Sequence, residues 1–246
     1  MDKLQPTPLY VYHDFPPFVT SGVEAADSLS DHITLAFSEH SERKFITVPI
    51  TRVELNKKIA NGEAVLVLWA NKKWFPGLKP IVSNPIIWDS DILVALKSNK
   101  IQSYNPSVIA NKRFCSIKGH HYKHLEPWFS EGINNRVVVN TYNDCLSLLK
   151  SGKVDYFQIE RSTLYHQYSS QDIDFIKIVE PSIDTFSRHI LMFNDAGRLL
   201  SLINVSIVGL KNSTLWQESL KSMGDERFIK LFDMDLETLM NYEVEK

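Results

Sequence analysis

The sequence predicts an α/β protein built from two lobes of similar plan. Two segments, 46–69 and 137–160, share the order strand, helix, glycine stop and strand. Short turns from a helix into the next strand are typical of α/β units with parallel sheets. Two apolar runs of strand length, at 89–99 and 187–195, have polar residues on both sides. A chain that leaves one lobe and returns to it must cross twice, and we predict that these runs form the crossings.

Composition excludes several classes of function. The 246 residues allow one large domain or two small ones. A formal net charge of -2 provides no basic field for nucleic acid or an anionic membrane. No run approaches the roughly 18 apolar residues that cross a bilayer. The opening "MDKLQPTP" lacks the apolar core of a signal peptide, so a targeting segment is either absent or already removed.

The two cysteines, Cys115 and Cys145, are too few for a disulfide framework or a Cys-rich zinc site. Free cysteine is among the most buried residue types. The sequence therefore favours two half-buried thiols, and a single disulfide is the alternative.

The first lobe begins with a strand in "LYVYHDFPPF", which the prolines at 16–17 end because proline has no donor for a sheet. "SLSDHITLAFSEH" predicts a helix capped by Ser30 or Asp31. "KFITVPI" predicts a strand. "RVELNKKIANGEAVLVLWAN" predicts a helix that stops at 61–62 and a buried strand over 65–69.

The second lobe repeats this plan. "RFCSIKG" and "RVVVNTY" predict strands, and "NDCLSLLKSG" predicts a helix that is capped by Asn143 or Asp144 and stops at Gly152. "KVDYFQI" predicts a strand that runs into a charged pair, Glu160 and Arg161. Beyond the second crossing, "GRLLSLINVSIVGLKNSTLWQESLKSMG" predicts a helix. The tail that follows contains enough Phe, Leu and Met to pack on a lobe.

The order and spacing of five short motifs are more informative than any one of them. The motifs are "FPPF", "GEAVLVLW", "SNPIIWDSDILVALKSN", "RFCSIKGHHY" and "GKVDYFQIE". In this order, over roughly residues 8–224, the sequence resembles the extracellular solute-binding proteins of family 3, the amino-acid type of periplasmic binding protein. Two of the motifs correspond to Gly-x-x-Asp strands of that family, although Val65 replaces the aspartate in the first.

The resemblance implies a type II periplasmic-binding-protein fold, with two lobes, two hinge strands and a ligand cleft between the lobes. The expected first lobe comprises 1–90 with 188–246, and the expected second lobe comprises 91–187. It also implies a periplasmic protein whose signal peptide has been removed, a membrane permease or receptor as partner, and no cofactor, metal or catalytic residue. We expect a monomer that does not bind nucleic acid.

The resemblance also assigns ligand-binding residues. Glu160 stands where the family usually has an aspartate that receives the ligand's α-ammonium, and charged hydrogen bonds are roughly twice as strong as neutral ones. The alternative is that Glu160 pairs with Arg161 or with solvent. Phe15 aligns with an aromatic residue that stacks on the ligand, and its alternative role is ordinary core packing. The predicted cleft extends to further aromatic residues, namely Trp74, Trp88 and Tyr122.

The remaining candidates depart from the family pattern. Trp69, Ala70 and Lys72 occupy positions of small hydroxylated residues that bind the ligand's ammonium and carboxylate, and His121 replaces a threonine that holds the carboxylate. The family's carboxylate-binding arginine is missing, and a lysine lacks the bidentate fork that would replace it. Arg188 could supply a guanidinium, although we expect it on the surface.

These features predict a solute-binding protein that closes around a small polar organic ligand, amino-acid-like or amine-bearing, for an ABC-type transporter. One alternative is the ligand-sensing domain of a receptor. A second is an enzyme of the same fold, such as a cyclohexadienyl-dehydratase-like lyase, in which His121 and Glu160 would act as acid and base. A metal site in "GHHYKH" is a weaker alternative because its spacing defines no ligand geometry.

Overall fold

The computed structural model describes residues 5–13, 15–19, 28–39, 41 and 43–239. The chain divides into two compact units. Unit 1 comprises 1–88 and 186–234, and unit 2 comprises 89–185 with the segment that starts at Asp235. The boundaries expected from the sequence assigned that last segment to the first lobe instead.

The elements alternate between strands and helices along most of the chain. The strands are β1 (Thr7–Val11), β2 (Phe45–Pro49), β3 (Val65–Ala70), β4 (Ile81–Val82), β5 (Ile87–Leu96), β6 (Arg113–Ile117), β7 (Asn135–Val139), β8 (Tyr156–Glu160) and β9 (Ile176–Phe193). The helices are α1 (Leu29–Glu39), α2 (Arg52–Ala60), α3 (Pro106–Ile109), α4 (Glu126–Ser130), α5 (Tyr142–Lys150), α6 (Arg161–Gln167), α7 (Leu200–Gly209), α8 (Thr214–Met223) and α9 (Glu226–Lys230). No helix within the described ranges combines the length and apolar character needed to cross a membrane.

Unit 1 contains a sheet in the order β2-β1-β3-β9, with β4 also paired to β9. β1 runs parallel to β2 and β3, whereas β3 and β9 are antiparallel. The apolar face of α2 packs on this sheet through Leu55 and Ile59, which share a core cluster with Val67 and Phe75. The predicted strand-helix-strand unit over 46–69 is therefore present.

Unit 2 contains a sheet in the order β5-β8-β6-β7. β6 runs parallel to β7 and to β8, whereas β5 and β8 are antiparallel. The carboxyl ends of the three parallel strands therefore meet at one edge of the sheet. Open α/β sheets place their ligands at this edge.

Asp155 fixes the register between two of these parallel strands. Its carboxylate accepts hydrogen bonds from the Arg113 backbone N–H at 2.7 Å, from Arg113 Nε at 3.0 Å and from Arg113 Nη2 at 2.9 Å. The aspartate of the "GKVD" motif thus ties the start of β8 to the start of β6. These hydrogen bonds lower the pKa of Asp155 below its usual value.

The helix starts differ in part from those predicted. Ser28, not Ser30 or Asp31, precedes α1, and its hydroxyl accepts a hydrogen bond from the Asp31 N–H. Thr141 caps α5 in a capping box with Asp144, where the sequence suggested Asn143 or Asp144 as the cap. Both caps are short hydroxyl side chains, which satisfy N–H groups of the first helical turn. Position 40, the last of the predicted first helix, lies outside the described residues.

The long helix predicted after the second crossing is divided into two. Short 3-10 turns precede α7 and separate it from α8. Ser213 restarts the helix because its hydroxyl accepts a hydrogen bond from the Trp216 N–H at 3.2 Å. Phe228, Leu231 and Leu239 are buried, so the described part of the tail packs on the protein as predicted. Residues 240–246 lie outside the described ranges.

Cys115 and Cys145 form a disulfide, so the interpretation of two free thiols is wrong. Cys115 lies on β6 and Cys145 lies on α5, and their Cα atoms are 5.7 Å apart, a separation typical of disulfides. The sequence spacing of 30 residues could not show that α5 packs on the face of β6 that carries Cys115.

We expect Asp155→Asn to lower the free energy of unfolding of unit 2 by about 1–2 kcal/mol at pH 7, because charged hydrogen bonds to a partly exposed arginine are lost. The pKa of Asp155 is lowered in the folded protein, so its contribution is present above the unfolded pKa and disappears as pH falls below about 4. Urea denaturation of both proteins between pH 7 and pH 2.5 measures this difference. A gap between wild type and variant that stays constant with pH would contradict the assignment.

We expect reduction of the disulfide to lower the free energy of unfolding of unit 2 by about 3–4 kcal/mol, since the bond closes a loop of roughly 30 residues. Denaturation with and without reductant measures the change. Thiol titration in denaturant provides the control and should detect no thiol before reduction and two afterwards. Two reactive thiols in the unreduced, denatured protein would show that the bond is absent.

Candidate functional site

The carboxyl edge of the unit 2 sheet carries the residues that follow the three parallel strands. His120 and Tyr122 follow β6, Tyr142 follows β7, and Glu160 ends β8. The three strands bring these side chains towards one edge because they run in the same direction. The structure therefore places two predicted residues, Tyr122 and Glu160, at the edge where a ligand is expected.

The aromatic part of this edge is closely packed. The His120 ring centroid lies 6.0 Å from that of Tyr142 and 6.3 Å from that of Tyr122. Tyr122 is buried against Phe114, and its hydroxyl accepts a hydrogen bond from the Ile117 N–H at 2.8 Å. The orientation of Tyr122 is fixed by these contacts.

The same edge of the sheet carries two carboxylates. Asp91 on β5 is the direct cross-strand partner of Glu160 on β8. Side chains that lie directly opposite each other in an antiparallel pair project from the same face of the sheet. Burial raises the pKa of Tyr142, and the nearby charges of Glu160 and Asp91 raise it further. Burial likewise raises the pKa of Tyr122 to about 12. Both tyrosines are therefore neutral hydrogen-bonding groups next to an acidic pair.

Arg161, the alternative partner suggested for Glu160, is buried and directs its guanidinium to several groups of unit 2. Its Nε donates to Ser90 Oγ at 2.9 Å, its Nη1 to the Tyr165 hydroxyl at 3.1 Å, and its Nη2 to Glu180 Oε1 at 2.9 Å. This network joins the first turn of α6 to the strand β5 and to the strand β9. The position of Glu160 immediately before α6 is thereby held by its neighbour.

His121 and the other histidines of "GHHYKH" point to different places. The His121 side chain is 76% exposed, and its Nδ1 lies 3.7 Å from Glu126 Oε1. His124 Nε2 lies 4.0 Å from Asp184 Oδ2. His120, which the sequence did not select, is the histidine beside Tyr142. Within the ranges that the structure describes, no group of three or more His, Cys, Asp or Glu side chains is arranged to hold a metal ion.

In unit 1, Trp69 and Ala70 are fully buried at the end of β3. Trp69 has a positive φ of 61° and donates its indole N–H to Ser30 Oγ at 2.8 Å. Its ring packs against Phe18 with centroids 5.3 Å apart. Ala70 pairs with His189 across a register shift between β3 and β9. These contacts show that both side chains contribute to packing of this end of the sheet.

The other unit 1 candidates are more accessible. Phe15 is half-buried, and its ring lies 5.7 Å from Phe18. Lys72 is exposed in a short 3-10 helix that also contains Trp74, and Trp88 is half-buried on β5. Phe15 and Trp69 thus meet through Phe18, whereas the Lys72 side chain is open to solvent.

Arg188 is not the surface residue that the sequence suggested. It is fully buried, and its Nη1 donates to the Trp69 carbonyl at 3.2 Å. Its guanidinium carbon lies 4.3 Å from the ring centroid of Phe18 and 5.2 Å from the ring centroids of Trp74 and Phe186. Arginine stacks on aromatic faces because its charge is delocalised over a weakly hydrated plane. This contact fixes the loop that carries Phe15 and Phe18 against β9.

His13 is a further unit 1 residue that sequence reasoning missed. Its ring lies between those of Phe15 and Trp74, with centroid distances of 5.5 Å and 5.4 Å. Burial lowers the pKa of His13 well below its usual value, and the charge of Arg188 lowers it further. His13 is therefore neutral, and Arg188 is the positively charged group beside the rings of Phe18 and Trp74.

Comparison with solved structures identifies similar folds at low sequence identity. The L-cystine solute receptor of Neisseria gonorrhoeae, in an unliganded open conformation, is 16% identical. The match covers 93% of this chain and 94% of the receptor chain, with a TM-score of 0.63. An ABC uptake transporter substrate-binding protein of Streptococcus pneumoniae with bound histidine is 15% identical, with coverages of 88% and 91% and a TM-score of 0.61. The GluR0 ligand-binding core of Nostoc punctiforme with L-glutamate is 14% identical, with coverages of 89% and 99% and a TM-score of 0.61.

The fold is that of the type II periplasmic binding proteins. The predicted fold class is thus confirmed, and the similar structures are receptors and solute-binding proteins of the kind that the five motifs resemble. No protein-family model and no curated protein matches the sequence itself. The fold is recognisable although the identity to these structures is only 14–16%.

Proposed function

We propose that this protein is a non-enzymatic solute-binding protein for a small, amine-bearing organic ligand. The observation that supports this proposal best is the carboxyl edge of the unit 2 sheet, which carries the cross-strand pair Asp91 and Glu160 as well as Tyr122, Tyr142 and His120. Carboxylates form strong charged hydrogen bonds with an ammonium group, and aromatic faces attract cations. The ligand contacts that we propose at this edge are His120, Tyr122, Tyr142 and Glu160.

The proposed ligand differs from an ordinary α-amino acid because the groups that would bind a carboxylate are weak. No arginine occurs between Arg52 and Arg113, and Lys72 is an exposed point charge. Arg188 is engaged by the Trp69 carbonyl and by three aromatic rings. An amine without a carboxylate therefore suits the described residues better than a compact zwitterion.

The disulfide between Cys115 and Cys145 supports a periplasmic or other extracytoplasmic location, because disulfides persist mainly in oxidising compartments. There the proposed partner is the membrane permease of an ABC transporter, as in the uptake system named for the Streptococcus pneumoniae protein. The similarity to a GluR0 ligand-binding core favours a sensory domain as the second candidate. Nothing comparable favours the lyase, since His121, its suggested acid or base, is exposed beside Glu126.

A ligand screen tests the proposal directly. We expect primary alkyl- and arylamines to raise the unfolding temperature and to bind in calorimetry, since a ligand that binds only the folded state stabilises it by mass action. The twenty common α-amino acids should bind more weakly. A dissociation constant near 1 μM for any of them, equivalent to about -8 kcal/mol, would contradict this preference and show that Lys72 or Arg188 replaces the missing arginine.

Glu160→Gln tests the role of the acidic residue. We expect the affinity for an amine that binds the wild type to fall by roughly 1.5–3 kcal/mol, which is the range for a charged hydrogen bond, while the unfolding temperature without ligand changes little. Calorimetry measures the affinity. Glu131→Gln, a change of the same type at an exposed site in unit 2, is the matched control. Equal affinity of the Glu160 variant and wild type would assign Glu160 to the fold alone.

A further inference from the structure

Strand β8 carries three polar side chains on one face. Successive strand residues point to opposite faces, so Tyr156, Gln158 and Glu160 project together, whereas Phe157 and Ile159 project from the other face. Their cross-strand partners on β5 are Ala95, Leu93 and Asp91. The polar column therefore begins at the acidic pair and extends into the interior of unit 2.

Two members of this column each have a buried oxygen atom without a hydrogen-bond partner among the described residues. Gln158 is 9% exposed and Tyr156 is 0% exposed. Neither Gln158 Oε1 nor the Tyr156 hydroxyl has a hydrogen-bond partner among the described residues. Buried polar atoms in native proteins are nearly always paired, because an unpaired one has lost its hydrogen bonds to water. An apolar residue would fill either position at lower free energy, so these polar groups require another explanation.

The geometry of the strand suggests what could meet them. The rise along a strand is about 3.3–3.4 Å per residue, so Gln158 lies roughly 6–7 Å from Glu160 along β8. The amide oxygen of Gln158 is an acceptor only, and the Tyr156 hydroxyl can also accept. A group that pairs with Gln158 Oε1 must donate a hydrogen bond, and the Tyr156 hydroxyl can accept one from the same group. The column therefore presents acidic acceptors at its outer end and neutral acceptors further in.

We propose that the ligand is a linear amine with a second N–H donor about 6–7 Å from the first, the spacing set by the strand rise. The outer nitrogen binds Glu160 and Asp91, and the inner nitrogen donates to Gln158 Oε1 and the Tyr156 hydroxyl. This inference rests on the proposed function and specifies the ligand class of the same site. It adds Asp91, Tyr156 and Gln158 as residues that determine specificity.

The test compares 1,4-diaminobutane with butylamine by calorimetry. The two compounds share the first amine and the four-carbon chain, and only the diamine carries the inner donor. We expect the wild type to bind the diamine at least about tenfold more tightly, because only the diamine satisfies the buried acceptors. Gln158→Met has nearly the same shape but lacks the acceptor, and it should remove most of this preference while leaving butylamine affinity within about twofold.

Two further variants keep the test interpretable. Tyr156→Phe removes the second acceptor and should weaken diamine binding severalfold, which tests the column independently if Gln158→Met does not fold. Gln171→Met makes the same chemical change at an exposed position of unit 2 and should leave both affinities unchanged.

The outcomes separate this inference from the proposed function. If both amines bind wild type equally, and the variants at 156 and 158 leave both affinities unchanged, the inference is overturned while the solute-binding proposal stands. If neither these amines nor any other primary amine binds at millimolar concentration, the proposed function fails and the inference fails with it.

Discussion

The register between β6 and β8 is the constraint on which the unit 2 site depends. Asp155 binds both the backbone and the guanidinium of Arg113, so the first residues of the two strands are held together. A shift of one residue in β8 would move Glu160 to the opposite face, because strand side chains alternate. It would then no longer project beside Asp91. An ion pair at one end of the strands thus determines which side chains are presented at the other end.

The disulfide acts on the opposite face of the same sheet. Cys115 and Phe157 are register partners on β6 and β8, and the bond from Cys115 to Cys145 attaches α5 to that face. Tyr142 is the first residue of α5, and its ring centroid lies 6.2 Å from that of Phe157. The bond therefore also fixes the helix whose first residue lies beside His120. The disulfide therefore both stabilises the sheet and positions Tyr142.

Local patterns predicted the elements well, and long-range contacts explain what they missed. Glycine stops and apolar periodicity located α2, α5, β3 and β8 because these signals act within a few residues. The disulfide and the contacts that bury Arg188 join segments that are far apart in sequence. The proximity of His120 to Tyr142 depends on the path of the turn after β6. For Glu160, the sequence predicted its place at a strand end. It could not show that Asp91 would be its cross-strand partner, because that depends on the pairing of β5 with β8.

Arg188 shows that the presence of an arginine elsewhere in unit 1 does not by itself replace the family's missing carboxylate-binding arginine. The guanidinium is present in unit 1, but it lies among Phe18, Trp74 and Phe186 and donates to the Trp69 carbonyl. A buried charge is retained only when its surroundings compensate for lost hydration. Here aromatic faces and a carbonyl provide that compensation, so the residue stabilises the loop bearing Phe15. In unit 2, by contrast, Gln158 and Tyr156 keep buried polar atoms that no described residue compensates. Because the charge of Arg188 is compensated by its surroundings, we expect this residue to serve the fold of unit 1 and not to bind a ligand.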